Sequence, residues 1–61
     1  MGYRNVWELK VQGEFGSIYR YVGKKARLEK EVYFLENYGK VTVRKLSKEE
    51  RKQIPFSRIM A

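Results

Sequence analysis

Residues 26–38, with the sequence ARLEKEVYFLENY, separate two possible folds for this chain. The part up to Glu31 is rich in Lys, Glu, Leu and Arg, which are good helix formers. The three residues that follow, Val32, Tyr33 and Phe34, are of types enriched in strands. The two halves of the stretch therefore favour different structures.

A helix over about residues 24–38 would end at Gly39, a residue suited to a C-terminal cap. Its apolar stripe would consist of Leu28, Val32 and Leu35. Three other apolar residues would lie off that stripe: Ala26, Tyr33 and Phe34. The helix would then need burial nearly all round, which a domain of 61 residues can hardly supply.

A strand over residues 27–36 instead divides the apolar side chains between its two faces. Asn37 and Gly39 follow as a hairpin turn, and residues 40–46 alternate as a further strand. We therefore predict a strand at residues 27–36. The helix, which would give an α+β fold of order ββαβ, is the alternative.

The rest of the chain also predicts strands. Residues 3–11 alternate between apolar and polar side chains, and residues 18–22 form a second β-prone run. The two glycines of residues 12–17 indicate a hairpin loop between these runs. Residues 47–50 match a capping box, which predicts a short helix at about residues 48–53.

The predicted fold is thus mainly β, in a single domain over residues 1–61. Two hairpins form a small twisted four-stranded sheet or an SH3-like open barrel, and a short C-terminal helix follows. Pro55 ends that helix, and the apolar residues after it are expected to fold back over an open end of the sheet.

Composition argues against several kinds of site. The chain has no Cys, no His and no Asp, so it lacks disulfides, the usual zinc ligands and the usual base for a serine nucleophile. We expect a protein that is not an enzyme and that uses no cofactor or metal. The absence of Cys fits the cytoplasm, and the charged N-terminal region offers no signal peptide or membrane span.

Positive charge is concentrated toward the C-terminus. The net charge is +7, and residues 40–61 carry seven cations against two glutamates. Their spacing places two cations on the outward face of the predicted strand and three on one side of the short helix. If strand and helix adjoin, these five form a basic ridge suited to a phosphate backbone: Lys40, Arg44, Lys48, Arg51 and Lys52.

Further candidate contacts lie outside this basic ridge. Tyr19 and Tyr21 share one face of the second strand, where they would offer bases a stacking surface. Packing against Trp7 across the hairpin would explain the tyrosine pair equally well. The remaining candidate nucleic-acid-binding residues are basic: Arg20, Lys24, Lys25, Lys45 and Arg58.

Two functions follow from these patterns. The favoured one is a sequence-nonspecific nucleic-acid-binding accessory protein, associated with ribosomal RNA or coating DNA, because no cluster of Asn and Gln is present to read bases. The alternative is a small protein-interaction module, such as a phage-type inhibitor, that docks on an acidic or edge-strand surface of a larger protein. Either would suit a subunit of a large assembly, and no membrane partner is expected.

Overall fold

The computed structural model describes residues 3–60, and its strands form a four-stranded mixed sheet. The elements are β1 (Trp7–Gly13), β2 (Gly16–Val22), α1 (Lys25–Leu35), β3 (Lys40–Lys45), α2 (Lys48–Lys52), a 3-10 turn (Phe56–Arg58) and β4 (Ile59–Met60). The sheet has the order β3-β1-β2-β4, with β1 antiparallel to both neighbours and β4 parallel to β2. Among residues 3–60, no helix is long and apolar enough to cross a membrane.

The predicted mainly β fold with four strands and a short C-terminal helix is confirmed in this coarse form. The SH3-like barrel is not confirmed. Within the described residues β3 and β4 lie at opposite edges of the sheet, which stays open. The edges matter for function, because an unpaired strand edge can bind another strand.

The predicted strand at residues 27–36 is wrong, and so is the second hairpin that it would form. α1 occupies this stretch and gives the ββαβ order of the alternative prediction. The helix does not need burial all round, because Tyr33 is 81% exposed and Phe34 is 49% exposed. Only one side of α1 packs on the core cluster, through Leu28, Val32 and Leu35.

Local signals at the C-terminal end are confirmed. Ser47 Oγ accepts a hydrogen bond from the Glu50 backbone N–H at 3.2 Å, and the Ser47 N–H donates to Glu50 Oε1 at 3.0 Å. This capping box begins α2. Pro55 precedes the 3-10 turn. The tail then folds back on the sheet, where β4 pairs with Tyr21 and Val22.

The core lies between α1 and one face of the sheet. Its buried centre comprises Leu9, Val11, Val22 and Leu35. Partly buried apolar side chains surround this centre: Trp7, Leu28, Val32, Val41 and Met60. A core this thin leaves several other large apolar side chains in water.

The register of β1 defines two faces of the sheet. Leu9 lies opposite Arg20 and Val43 on the face that packs against α1. Alternate residues project to the other face, which α1 does not cover. We call this the open face, and its residues are Glu8, Lys10 and Gln12 of β1, Ser17, Tyr19 and Tyr21 of β2, and Lys40, Thr42 and Arg44 of β3.

Two segments that are far apart in the chain meet beside β2. The rings of Tyr3 and Phe56 are stacked, with their centroids 5.2 Å apart and their planes inclined by 12°. Gly23 lies against this stack, since a Cβ there would come within 2.4 Å of the Tyr3 ring. The N-terminal segment is thereby held against the 3-10 turn.

Candidate nucleic-acid interface

The open face brings a lysine and a tyrosine together at its centre. Lys10 has Tyr19 as its partner on β2 and Thr42 as its partner on β3. Gln12 and Lys40 form the next pair on the same face of β1 and β3. Directly opposed side chains in a sheet have Cβ atoms about 5 Å apart. The Lys10 ammonium is therefore within reach of the Tyr19 ring, whereas Lys40 lies two strands away on the same face.

Tyr19 and Tyr21 differ in how free their rings are. Tyr19 is 44% exposed. Tyr21 is half-buried, its hydroxyl donates to Glu8 Oε2 at 3.3 Å, and the Arg58 guanidinium lies 6.0 Å from its ring centroid. Burial, and then the charge of Glu8, raise the pKa of the Tyr21 hydroxyl. Tyr19 is therefore the ring that is open to a stacking base.

Packing against Trp7 does not account for the two tyrosines. Trp7 lies opposite Val22 and Lys45, on the face that packs against α1. Tyr19 and Tyr21 lie on the open face, on the other side of the sheet. The alternative explanation by packing against Trp7 is therefore wrong, because the register of the hairpin puts the two kinds of ring on opposite faces.

Arg44 lies on the open face but is bound by two carboxylates. Its Nη1 donates to Glu50 Oε2 at 2.6 Å, and its Nη2 donates to Glu8 Oε1 at 3.4 Å. The hydrogen bond and charge of Glu50 raise the pKa of Arg44. The pKa of Glu50 is lowered mainly by the hydrogen bond from the Ser47 backbone N–H, and next by the hydrogen bond from Arg44. Arg44 thus joins α2 to the sheet, and its charge is already partly compensated.

The orientation of α2 divides the basic ridge. An α-helix turns by about 100° per residue, so Lys48 and Lys52 lie about 160° from Glu50 around α2 and Arg51 lies about 100° from it. Glu50 faces Arg44. The three cations instead line a groove of about 320 Å³, together with apolar residues that include Tyr3 and Phe56. The structure therefore places Lys40 and Arg44 on the open face and separates the three α2 cations from them.

Other predicted site residues also lie away from the open face. Arg20 is on the α1 side of the sheet, where its Nη1 is 3.9 Å from Glu31 Oε2. Lys24 and Lys25 lie at the N-terminal end of α1, and Lys45 lies opposite Trp7. The predicted residues that the structure brings together are Tyr19, Tyr21, Lys40 and Arg44, with Arg58 beside Tyr21.

Lys10 is a candidate residue that the sequence interpretation missed. The alternation in β1 had already placed Lys10 on the polar side of the strand, but only the register shows that Tyr19 is its neighbour. Within the part of the chain that the structure describes, Lys10, Lys40 and Arg58 make no ion pair. These three cations are therefore available to phosphates.

No model of a known protein family matches the chain, and no curated protein or solved structure is significantly similar to it. Its function has to be inferred from the open face itself.

Proposed function

We propose that the chain is a non-catalytic accessory protein that binds nucleic acid in the cytoplasm without reading its sequence. The observation that carries this proposal is the exposed ring of Tyr19 beside Lys10, on a sheet face that α1 leaves uncovered. The net charge of +7 adds long-range attraction for a polyanion. Ribosomal RNA and cellular DNA are both partners of this kind.

A single-stranded segment fits the open face better than a duplex does. Its bases are accessible to the Tyr19 ring, whereas the bases of a duplex are already stacked on one another. Lys10 lies beside Tyr19, Arg58 lies beside Tyr21, and Lys40 lies farther across the same face on β3, so the three cations would meet different phosphates of a strand that crosses the face. The face holds no cluster of Asn and Gln to read base edges, so binding should tolerate many sequences.

Reversing two charges of the open face is expected to weaken binding at least about tenfold, because two phosphate contacts become repulsive. The variant is Lys10→Glu with Lys40→Glu, and the measurement is fluorescence anisotropy of labelled oligothymidylate and oligouridylate of about 12 nucleotides. Lys48→Glu with Lys52→Glu is the matched control, since it makes the same change of charge in the α2 groove. Equal losses in both double variants would contradict a site on the open face.

A Tyr19→Ala variant, which removes the ring, is expected to weaken single-strand binding by about 1–3 kcal/mol, the usual contribution of one stacked base. Tyr19→Phe should bind like the original protein, because it keeps the ring. Binding to a duplex of the same length should change little in either variant. Unaltered single-strand affinity of Tyr19→Ala would contradict the stacking step, and no binding to any oligonucleotide at low salt would contradict the proposed function.

Removing the charge of Glu8 is expected to strengthen binding. Glu8 holds Arg44 and accepts the Tyr21 hydroxyl, and a glutamine still accepts that hydrogen bond. A Glu8→Gln variant should bind about two- to fivefold more tightly, because Arg44 no longer has to give up its ion pair with Glu8 to meet a phosphate. An exposed ion pair of this kind is worth about 0.2–1 kcal/mol. Glu14→Gln, in the hairpin loop, makes the same change of net charge away from the face. If the two variants bind equally well, only total charge matters.

The alternative function is docking on an acidic surface of a larger protein. Arg58 over the Tyr21 ring favours it, because Arg and Tyr are common in the centres of interfaces. Affinity purification with and without nuclease treatment distinguishes the two functions. Partners that disappear with nuclease support nucleic-acid binding, and a nuclease-resistant protein partner supports docking.

A further inference from the structure

The groove beside α2 lies beyond one end of the sheet. Its lining includes Val6, which precedes β1 and whose carbonyl accepts a backbone hydrogen bond at 2.9 Å from Leu46, the residue after β3. Lys10 lies four residues farther along the chain, which is about 13 Å in an extended strand. A molecule bound in this groove would therefore leave the centre of the open face free.

One wall of the groove is positively charged and has no negative partner. Lys48, Arg51 and Lys52 line it, and none of them forms an ion pair with another described residue. No carboxylate of residues 3–60 is part of the lining, and Glu50 binds Arg44 instead. The three cations therefore keep their full attraction for an anionic group.

The rest of the groove is apolar. It is lined by the aliphatic side chains of Val6, Ile54 and Ile59 and by the stacked rings of Tyr3 and Phe56. Val6 is almost fully buried, whereas Phe56 is exposed, so the groove opens from the core to the surface. Its volume of about 320 Å³ has room for a large apolar side chain.

We infer that this groove binds an acidic segment of a partner protein, in which one large apolar side chain is flanked by carboxylates. The apolar side chain would enter the groove, and the carboxylates would form charge-assisted hydrogen bonds with Lys48, Arg51 and Lys52. A buried apolar anchor with a polar rim is the usual anatomy of a protein interface. Neither Tyr21 nor Arg58, on which the alternative function depends, lines this groove.

The apolar lining favours a protein segment over a nucleic acid. A phosphate backbone needs cations but no apolar cavity, and a base stacks on a flat aromatic face. Val6, Ile54 and Ile59 offer no such face, and the Phe56 ring is already covered on one side by Tyr3. If the proposed function also holds, the chain would bind nucleic acid on the open face and a protein segment in the α2 groove at the same time.

Short labelled peptides test this site with the unmodified protein, by fluorescence anisotropy. A peptide with one Phe or Leu between glutamates should bind with a Kd of about 100 μM or less. Replacing its apolar residue by Ser should weaken binding at least about tenfold, because the buried side chain is lost. Replacing its glutamates by Gln should also weaken binding at least about tenfold, because the charged acceptors are lost. No binding at about 1 mM protein, or equal binding of the Ser peptide, would overturn the proposal.

Two double variants locate the peptide site. Lys48→Glu with Lys52→Glu should weaken peptide binding at least about tenfold, because two attractive contacts become repulsive. Lys10→Glu with Lys40→Glu makes the same change of net charge on the open face and should weaken it less than about threefold, since separated surface charges are screened by salt. Equal losses in the two variants would show that the peptide responds only to total charge.

Competition and self-association distinguish the other possible occupants. An unlabelled oligonucleotide that displaces the peptide completely would assign the groove to the nucleic-acid interface. A dimer in sedimentation equilibrium that the peptide dissociates would assign it to a second copy of the chain. Peptide binding without any oligonucleotide binding would contradict the proposed function and support this site. Oligonucleotide binding without peptide binding would do the reverse.

Discussion

A Gly39→Ala variant is expected to lose a large part of the stability of the fold. Gly39 has a φ of +158°, and a Cβ there would lie 2.3 Å from the Gln12 carbonyl oxygen and 2.9 Å from the carbonyl carbon. Both atoms belong to the backbone of β1, so relief of the overlap would move β3 away from its partner strand. We expect a loss of about 3 kcal/mol or more from a total of about 3–9 kcal/mol for a chain of this length.

Urea unfolding followed by circular dichroism measures this loss, and Gly16→Ala is the control. Gly16 also has a positive φ, +132°, but a Cβ there would meet nothing within 4 Å. Its replacement should cost only about 1–2 kcal/mol of backbone strain. Equal losses of free energy in the two variants would show that the close approach to Gln12 is not what requires glycine at position 39.

Raising the salt concentration from about 50 to about 200 mM is expected to weaken single-strand binding about 20-fold. Three cations on or beside the open face, Lys10, Lys40 and Arg58, make no ion pair within the described residues. Three phosphate contacts to a single strand correspond to a slope of about −2 in a plot of log affinity against log salt. Anisotropy titrations at several salt concentrations measure this slope.

Single substitutions assign the slope to particular residues. Lys40→Gln should reduce its magnitude by about 0.7, and Lys52→Gln should leave it unchanged. A slope near −5 would contradict the three-cation site and would show that Arg44 and the α2 cations bind phosphates as well.

The fold could be predicted where the signal is local. The alternation of residues 3–11, the glycines around the first turn and the capping box at Ser47 each depend on neighbours in the sequence, and β1, the hairpin and α2 follow from them. The structure of residues 27–36 could not be predicted, because it depends on how much apolar surface a small core leaves in water. Tyr33, for example, lies on the outer side of α1 with 81% of its surface exposed to water.

The candidate site could be predicted only in part, for a reason of register. Sequence spacing shows which side chains share a face of one strand, such as Tyr19 with Tyr21. It does not show which residues lie opposite them on the neighbouring strand, so Lys10 was missed and Trp7 was kept as an alternative neighbour of the tyrosines. The basic ridge likewise depended on the rotation of α2, which the bond between Glu50 and Arg44 determines.

The stack of Tyr3 on Phe56 beside Gly23 brings the first and the last described segments of the chain together, because Gly23 also bonds to the Met60 carbonyl. A short linker could therefore join Tyr3 to Met60 without disturbing the sheet. New ends could then be opened at Glu14 and Phe15, in the exposed turn between β1 and β2. Such a circular permutant would keep every strand pair while reversing which segment leaves a ribosome first, so folding of this topology could be studied independently of the order of synthesis.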